Sequence, residues 1–220
     1  HLFAVRLDGI ESIEAPLDAA GTDLPYQFDD FTVVEFLAQG IGIDCNFHHP
    51  NSKRLQDIPG VCGIVDGSVM EGYYGIEAGQ SGVGDIFLWF VNTLVPERYG
   101  RNQVEQFANL EKKAAEQKPG ESGLLALDWN NGNRTILVDA RLSGLMVGQT
   151  LRTEAHEIYR ALLEATGFGA LRIIDRMEEY GVRVEQVINC GGLAAKNSLL
   201  MQIYADIIGR PMKVSRSEQT

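Results

Sequence analysis

Cysteine is scarce in this chain. Its 220 residues hold three, Cys45, Cys62 and Cys190, with no Cys-x-x-Cys and no His-paired spacing. An odd number so spaced excludes a disulfide framework and a structural zinc site, and it favours a reducing compartment. Positive charge is also short, with Lys+Arg 19 against Asp+Glu 30 and a net charge of −11. Such a surface repels nucleic acid, although local dipoles or Mg2+ would still let a small phosphorylated ligand bind. No apolar run approaches a membrane span, and the chain does not open on a basic stretch followed by an apolar segment and a cleavage site. The expectation is a soluble cytoplasmic protein without nucleic-acid or membrane partners. Fixed-period repeats, low-complexity tracts, Gly-x-Gly-x-x-Gly and the Walker lysine motif are all missing, which removes a solenoid, a Rossmann fingerprint and a P-loop.

What remains is enough chain to bury a substantial core. Residues 1–57 carry no clear period, although Leu2 to Leu7 and Phe31 to Leu37 read as strands. Beyond them, Val61 to Val65 and Ser68 to Tyr74 around Asp66-Gly67 predict a hairpin. Val83, Ile86, Phe87, Phe90, Val91 and Leu94 lie at helical spacing within Ser81 to Leu94, which Pro96 closes. Asn102 to Gln117 reads as a charged, solvated helix, and Leu124 to Asp128 as a buried strand entering the polar loop Trp129 to Arg134. Thr153 suits the N-cap of a long helix running to Glu179, in which Gly167 and Gly169 each cost about 1 kcal/mol relative to alanine unless close packing requires them. Helices alternating with short strands give an α/β class.

Chemistry concentrates in the last quarter. A β-rich run, Val184 to Asn189, empties through Cys190-Gly191-Gly192 into a helical pattern from Lys196 to Ile208, followed by Met212 to Val214. A strand turning through glycines into a helix N-terminus presents free N–H groups and a positive dipole end to a phosphate. Two glycines alone would equally make an ordinary tight turn. The whole string from Cys190 through Gly191, Gly192, Lys196 and Asn197 to Pro211 resembles the nucleotide-binding segment of the FGGY carbohydrate kinases, most closely the ribulokinase branch. Gly75-Ile76-Glu77-Ala78-Gly79-Gln80-Ser81-Gly82-Val83-Gly84-Asp85 is a second matching block. There glycines at 79, 82 and 84 allow close backbone approach, while Glu77 and Gln80 have groups that hydrogen-bond a polyol. The plain alternative is a helix start with Glu77 and Asp85 as dipole-compensating charges. A third block, Leu127-Asp128-Trp129-Asn130-Asn131-Gly132-Asn133-Arg134, looks like the family's Asp-Trp-x-Asn-Gly-x-Arg loop, though its residues are also common turn formers.

The resemblance covers Ile58 to Thr220. It implies an incomplete α/β domain of the actin-like ATPase (ribonuclease H-like) fold, preceded by a divergent segment 1–57, cut short at its C-terminal end and lacking an N-terminal kinase domain. The implied reaction is ATP-dependent phosphorylation of a sugar hydroxyl, of ribulose or a related ketopentose, with ATP and Mg2+. Gly191 and Gly192 would cradle the nucleotide phosphates, Asn197 would lie near the ribose or adenine, and Glu77 and Gln80 would face the sugar. The family's base is an aspartate in an Asp-Ala-His-like turn, followed by a Gly-Thr-Ser-Thr-Cys loop for the γ-phosphate. Asp18, in Leu17-Asp18-Ala19-Ala20, is the candidate base, with Ala20 where histidine is expected, though a solvated turn aspartate reads the same way. Gly42-Ile43-Asp44-Cys45 stands at the hydroxyl loop without a Ser or Thr oxygen, and Asp44 would repel phosphate. That departure motivates the rival expectation, a non-catalytic nucleotide-binding or interaction module. His48 and His49 point to opposite faces of an extended segment and His156 has no ligand partner in sequence, so no metal site is expected. Arg160 reads as a surface ion pair rather than a phosphate contact. A core face left open by the absent terminal helix could drive homo-oligomerisation.

Overall fold

The computed structural model describes residues 10–13, 33–37, 43–44, 57–66, 68, 74–184, 186–190 and 192–215. In chain order the strands and helices are β1 (Ile10–Ile13), β2 (Val33–Leu37), β3 (Ile43–Asp44), β4 (Gly63–Asp66), β5 (Tyr74–Ala78), α1 (Gly84–Leu94) and α2 (Gln103–Ala115). There follow β6 (Leu125–Leu127), β7 (Leu145–Val147), α3 (Ala155–Glu179), β8 (Gln186–Cys190), α4 (Gly192–Lys196), α5 (Ser198–Ile208) and β9 (Met212–Ser215).

Seven strands form one sheet in the order β1-β9-β8-β2-β3-β5-β4, and β6 pairs with β7 in a separate ribbon. β8 runs parallel to both β2 and β9, whereas β3 is antiparallel to both β2 and β5. Two reversals make β5 parallel to β8, so both strands deliver their carboxyl ends to the same edge. Strands from residues 10–44 hydrogen-bond into the same sheet as β8 and β9. They are continuous with the later chain through the main-chain ladder.

The core lies where α3 crosses the other helices. Tyr159, Leu163, Ile174 and Met177 of α3 are buried with Phe87, Phe90, Leu110, Leu200 and Tyr204. Phe87 and Phe107 meet the Tyr159 ring edge-on, at centroid distances of 5.9 and 6.3 Å. Such contacts contribute about 0.5–1.5 kcal/mol each beyond the area they bury, and they pin α1 and α2 to α3.

Several expected boundaries shift for local reasons. Asp66 pairs with Tyr74, so the hairpin connection runs through 67–73 instead of turning at Asp66-Gly67, and the return strand is β5. α1 starts at Gly84 rather than Ser81, whose carbonyl accepts a hydrogen bond from Asn131 Nδ2 at 3.0 Å instead of one from the next helical turn. Glu154, not Thr153, caps α3: the Glu157 carboxylate accepts from the Glu154 amide at 2.6 Å, while Thr153 Oγ1 takes the Thr150 amide and closes the preceding turn. β6 is a half-exposed ribbon strand, with Leu125 67% exposed, Ala126 and Leu127 half-buried, and only its flanks Leu124 and Asp128 buried. The helical pattern after Gly192 divides at Asn197 into α4 and α5. Leu2 to Leu7 fall outside the described residues.

Candidate functional site

The shared sheet edge brings two sequence blocks together. β5 ends at Ala78 and leads through Gly79-Gln80 to α1, and β8 ends at Cys190 and leads to α4. A methyl group placed on Gly84, at the start of α1, would touch Leu193 Cδ2 of α4 at 3.9 Å. The outlets of the two strands are therefore neighbours. In open α/β sheets this carboxyl edge is where ligands bind.

The loop after β6 braces the outlet of β5 residue by residue. Arg134 Nη2 donates to Glu77 Oε1 at 2.7 Å, the Gly79 amide donates to Thr135 Oγ1 at 2.6 Å, and Gln80 Nε2 donates to Asp128 Oδ2 at 2.6 Å. Gln80 Nε2 also reaches the Thr166 carbonyl of α3 at 2.9 Å. The second and third blocks, separate in sequence, thus form one unit. Asp128 is buried, and desolvation pushes its carboxyl above the usual range despite the Gln80 hydrogen bond. A methyl group at Gly169 would fall 2.5 Å from Gln80 Nε2 and against Asp128 Oδ2. The glycine in the middle of α3 therefore makes room for this pair of side chains. No comparable crowding exists at Gly82 or Gly84, where an added methyl group would make only ordinary contacts of 3.8 and 3.9 Å, so close backbone approach is not their role within the chain.

Two cavities flank the brace. One of about 360 Å3 is lined by Gln80, Asp128, Trp129, Thr135, Phe168 and Arg172, and a more open one of about 520 Å3 by Gln80, Ser81, Asn131, Asn133, Arg134 and Val138. Between them Ile136 and Val138 adopt positive φ of 89° and 52°, which is costly for β-branched residues. The strain is held by the Ile136 amide on the Gly60 carbonyl at 2.9 Å, the Leu137 amide on Asn133 Oδ1 at 2.9 Å, and paired Asn133 and Asp139 backbones.

Beyond β8, Gly192 is half-buried, and a methyl group there would make an ordinary contact with Lys196 Nζ at 3.8 Å. The N-terminus of α5 is already capped: Asn197 Oδ1 accepts from the Leu200 amide at 2.8 Å.

The profile of the FGGY family of carbohydrate kinases, C-terminal domain, matches residues 45–220. The chain belongs to the FGGY family of carbohydrate kinases. Curated relatives include the ribulokinase of Anoxybacillus flavithermus, 53% identical over 167 residues, which make up 74% of this chain and 30% of that protein. The ribulokinase of Mycolicibacterium smegmatis is 51% identical over 176 residues, 78% of this chain and 31% of the relative. The chain thus spans about three tenths of the length of the curated relatives it matches. Among solved structures, the xylulose kinase of Rhodospirillum rubrum superposes with a TM-score of 0.70 at 22% identity, covering 83% of this chain and 34% of that one. The glycerol kinase of Plasmodium falciparum, solved with ADP, gives a TM-score of 0.63 at 19% identity, covering 86% and 36%. These identities speak for the fold, and the fold is the actin-like ATPase expected of the FGGY family.

Of the residues picked out by their FGGY motifs, Glu77, Gln80, Gly192 and Asn197 lie among those described, while Asp18 and Gly191 do not, nor do the histidines His48 and His49. Asn197 is buried, and besides capping α5 its Nδ2 contacts the Tyr159 hydroxyl at 3.1 Å. Desolvation pushes that phenol up to about 12, which keeps it neutral. Asn197 therefore fixes the α4–α5 junction against α3, and this work engages both ends of its amide. Arg160 proves not to be a surface residue: it is buried, pairs with Glu164 at 2.8 Å and donates to the Ala114 carbonyl at 2.8 Å, tying α2 to α3. His156 Nδ1 lies 2.9 Å from the Tyr99 hydroxyl in a structural contact. Among the described residues there is no group of three or more His, Cys, Asp or Glu side chains that could hold a metal ion, and no helix is long and apolar enough to cross a membrane. Sequence reasoning missed Asn131 and Thr135 as partners of the β5 outlet. The mid-helix glycine at 169 signals only the Gln80–Asp128 pair, and nothing in the sequence pointed to Asn131 or Thr135.

Proposed function

We propose that this chain is the nucleotide-side part of an ATP-dependent sugar kinase that transfers the γ-phosphoryl group to a hydroxyl of ribulose or a related ketopentose. One observation carries the reading: the β5 outlet with Glu77 and Gln80 and the β8 outlet with Gly192 lie at one sheet edge, where a methyl group on Gly84 would sit 3.9 Å from Leu193 Cδ2. Phosphoryl transfer needs donor and acceptor side by side, with little covalent chemistry asked of the protein. The Gly191 and Gly192 amides and the Lys196 ammonium, whose Nζ lies 3.8 Å from where a methyl group on Gly192 would sit, are the groups that would hold a phosphate. ATP supplies the phosphoryl group, and Mg2+ would arrive with the triphosphate. Glu77 would accept a sugar hydroxyl hydrogen bond, and Gln80 keeps the outlet in shape through Asp128. Asp18 would serve as general base toward the attacking hydroxyl. Sugar contacts beyond these, and the partner domain, belong to the greater length that the relatives have. Residues 1–57 and 58–220 would then be parts of one domain, joined through the main sheet.

Calorimetric titration of the chain with MgADP and MgATP tests the nucleotide reading. Binding that weakens sharply in Gly192→Val is expected; no heat from either nucleotide overturns it. An ADP-release assay of the full-length protein with ribulose, xylulose and glycerol then tests the chemistry, with ribulose preferred and Asp18→Asn inactive. A non-catalytic nucleotide-binding module is the second reading. It is favoured by Ile43 and Asp44, which bring no hydroxyl oxygen to the sheet edge and lie in strand β3. Nucleotide binding without turnover on any of the three sugars would decide for it.

A further inference from the structure

We infer that Arg134 is a positioning residue for the acceptor side of the site, holding the Glu77 carboxylate in the orientation that meets a sugar hydroxyl; this rests on the reading of Glu77 as the sugar-facing acid. The register explains why a cation is needed. Glu77 pairs across the sheet with Gly63 on one side and Asp44 on the other, and Asp44 in turn with Glu35. Neither residue paired with Glu77 in the register is basic, so the cation beside its carboxylate comes from elsewhere. The loop after β6 supplies one through Arg134 Nη2, 2.7 Å from Glu77 Oε1. Arg134 is itself fixed from both sides, by Asn133 bridged to Asp139 and by Thr135 bound to the Gly79 amide. The backbone that carries its guanidinium is thus held in place before any ligand arrives.

The Glu77 side chain remains 54% exposed, so the contact orients the acid without covering it. Arg134 also lines both flanking cavities. An ion pair this exposed adds little to folding, and the buried Asp128–Gln80 and Thr135–Gly79 bonds hold the loop in place without it. The geometry therefore separates orientation, which needs Arg134, from folding, which does not.

The test is steady-state kinetics on the full-length protein with ribulose and MgATP, for Arg134→Gln, Arg134→Lys, Glu77→Gln and the double variant Glu77→Gln/Arg134→Gln. Arg134→Gln is expected to raise KM for ribulose about tenfold and leave KM for ATP within about twofold. Its unfolding midpoint should stay at the parent value, and Arg134→Lys should recover most of the loss. The double variant should be no worse than Glu77→Gln alone, because the arginine acts through the carboxylate. If Glu77→Gln impairs ribulose use while Arg134→Gln does not, or if the two losses simply multiply, the positioning role is overturned and the sugar-facing reading of Glu77 stands. If Glu77→Gln leaves the ribulose KM unchanged, both fall.

Discussion

Replacing Gly169 by alanine sets two effects against each other inside α3. Helix propensity alone favours the alanine by about 1 kcal/mol. Against this, the new methyl group would lie 2.5 Å from Gln80 Nε2, 2.9 Å from Asp128 Cγ and in hard contact with Asp128 Oδ2. Neither side chain has room to swing away, since both are buried, bonded to each other, and Gln80 is also bonded to the Thr166 carbonyl. Overpacking of this kind costs about 1–3 kcal/mol, and loss of a hydrogen bond to a buried carboxylate about 1.5–3 kcal/mol. The net expectation is destabilisation by about 2–4 kcal/mol, a fall in melting temperature of about 6–12 °C for a chain of this size. Gly167→Ala is the control. Its nearest neighbour would be Ile207 Cδ1 at 2.8 Å, the tip of a side chain that can rotate aside, and the next Tyr204 Cδ2 at 3.4 Å. That variant should stay within about 1 kcal/mol of the parent, because the propensity gain offsets the adjustment. Thermal and urea unfolding followed by circular dichroism compare the two. A Gly169→Ala protein that melts at or above the parent would refute the claim that this glycine makes room for the Asp128–Gln80 pair.

Asp128→Asn should change how stability depends on pH. Burial raises the folded-state pKa of Asp128 above its unfolded value, so the folded form holds the proton more tightly; its stabilising share is complete below the unfolded pKa and is lost as pH rises through the folded one. Urea midpoints of parent and variant, compared from about pH 4 to about pH 7, should show the parent gaining relative to the variant toward acid; parallel curves would contradict this. Asn197→Ala removes the α5 cap and the Tyr159 contact together and should cost about 1–3 kcal/mol in chemical unfolding, most of the capping share returning in Asn197→Asp. Arg160→Met leaves Glu164 without its cation in a largely buried setting and should cost about 3 kcal/mol, part of it recovered in Arg160→Met/Glu164→Gln.

The residues most legible from sequence were those whose spacing follows a single element. The apolar positions of α1 and the limits of α2 could be read from period and capping, because each depends on neighbours a few residues away. The strand and the helix α5 after Gln186 could be read for the same reason. What sequence alone could not supply was pairing across distance. Gln80 carries nothing that announces Asp128, nor Gly79 Thr135, and nothing near Asn197 in the sequence announces that it caps α5 and meets the Tyr159 hydroxyl. Arg160 misled because charge predicts exposure, whereas its partners Glu164 and the Ala114 carbonyl make burial tolerable. The β6 ribbon misled in the other direction, since a run of leucines and alanine need not be inside.

The interlock between residues 77–81 and 128–135 limits how this part of the chain can be exchanged. Asn131 holds the Ser81 carbonyl, Asp128 holds Gln80, Thr135 holds the Gly79 amide and Arg134 holds Glu77. A chimaera built to alter sugar preference would have to transplant both stretches as a matched set, with a glycine at 169 in the receiving helix. Moving either one by itself would set a donor group against a partner shaped for another sequence.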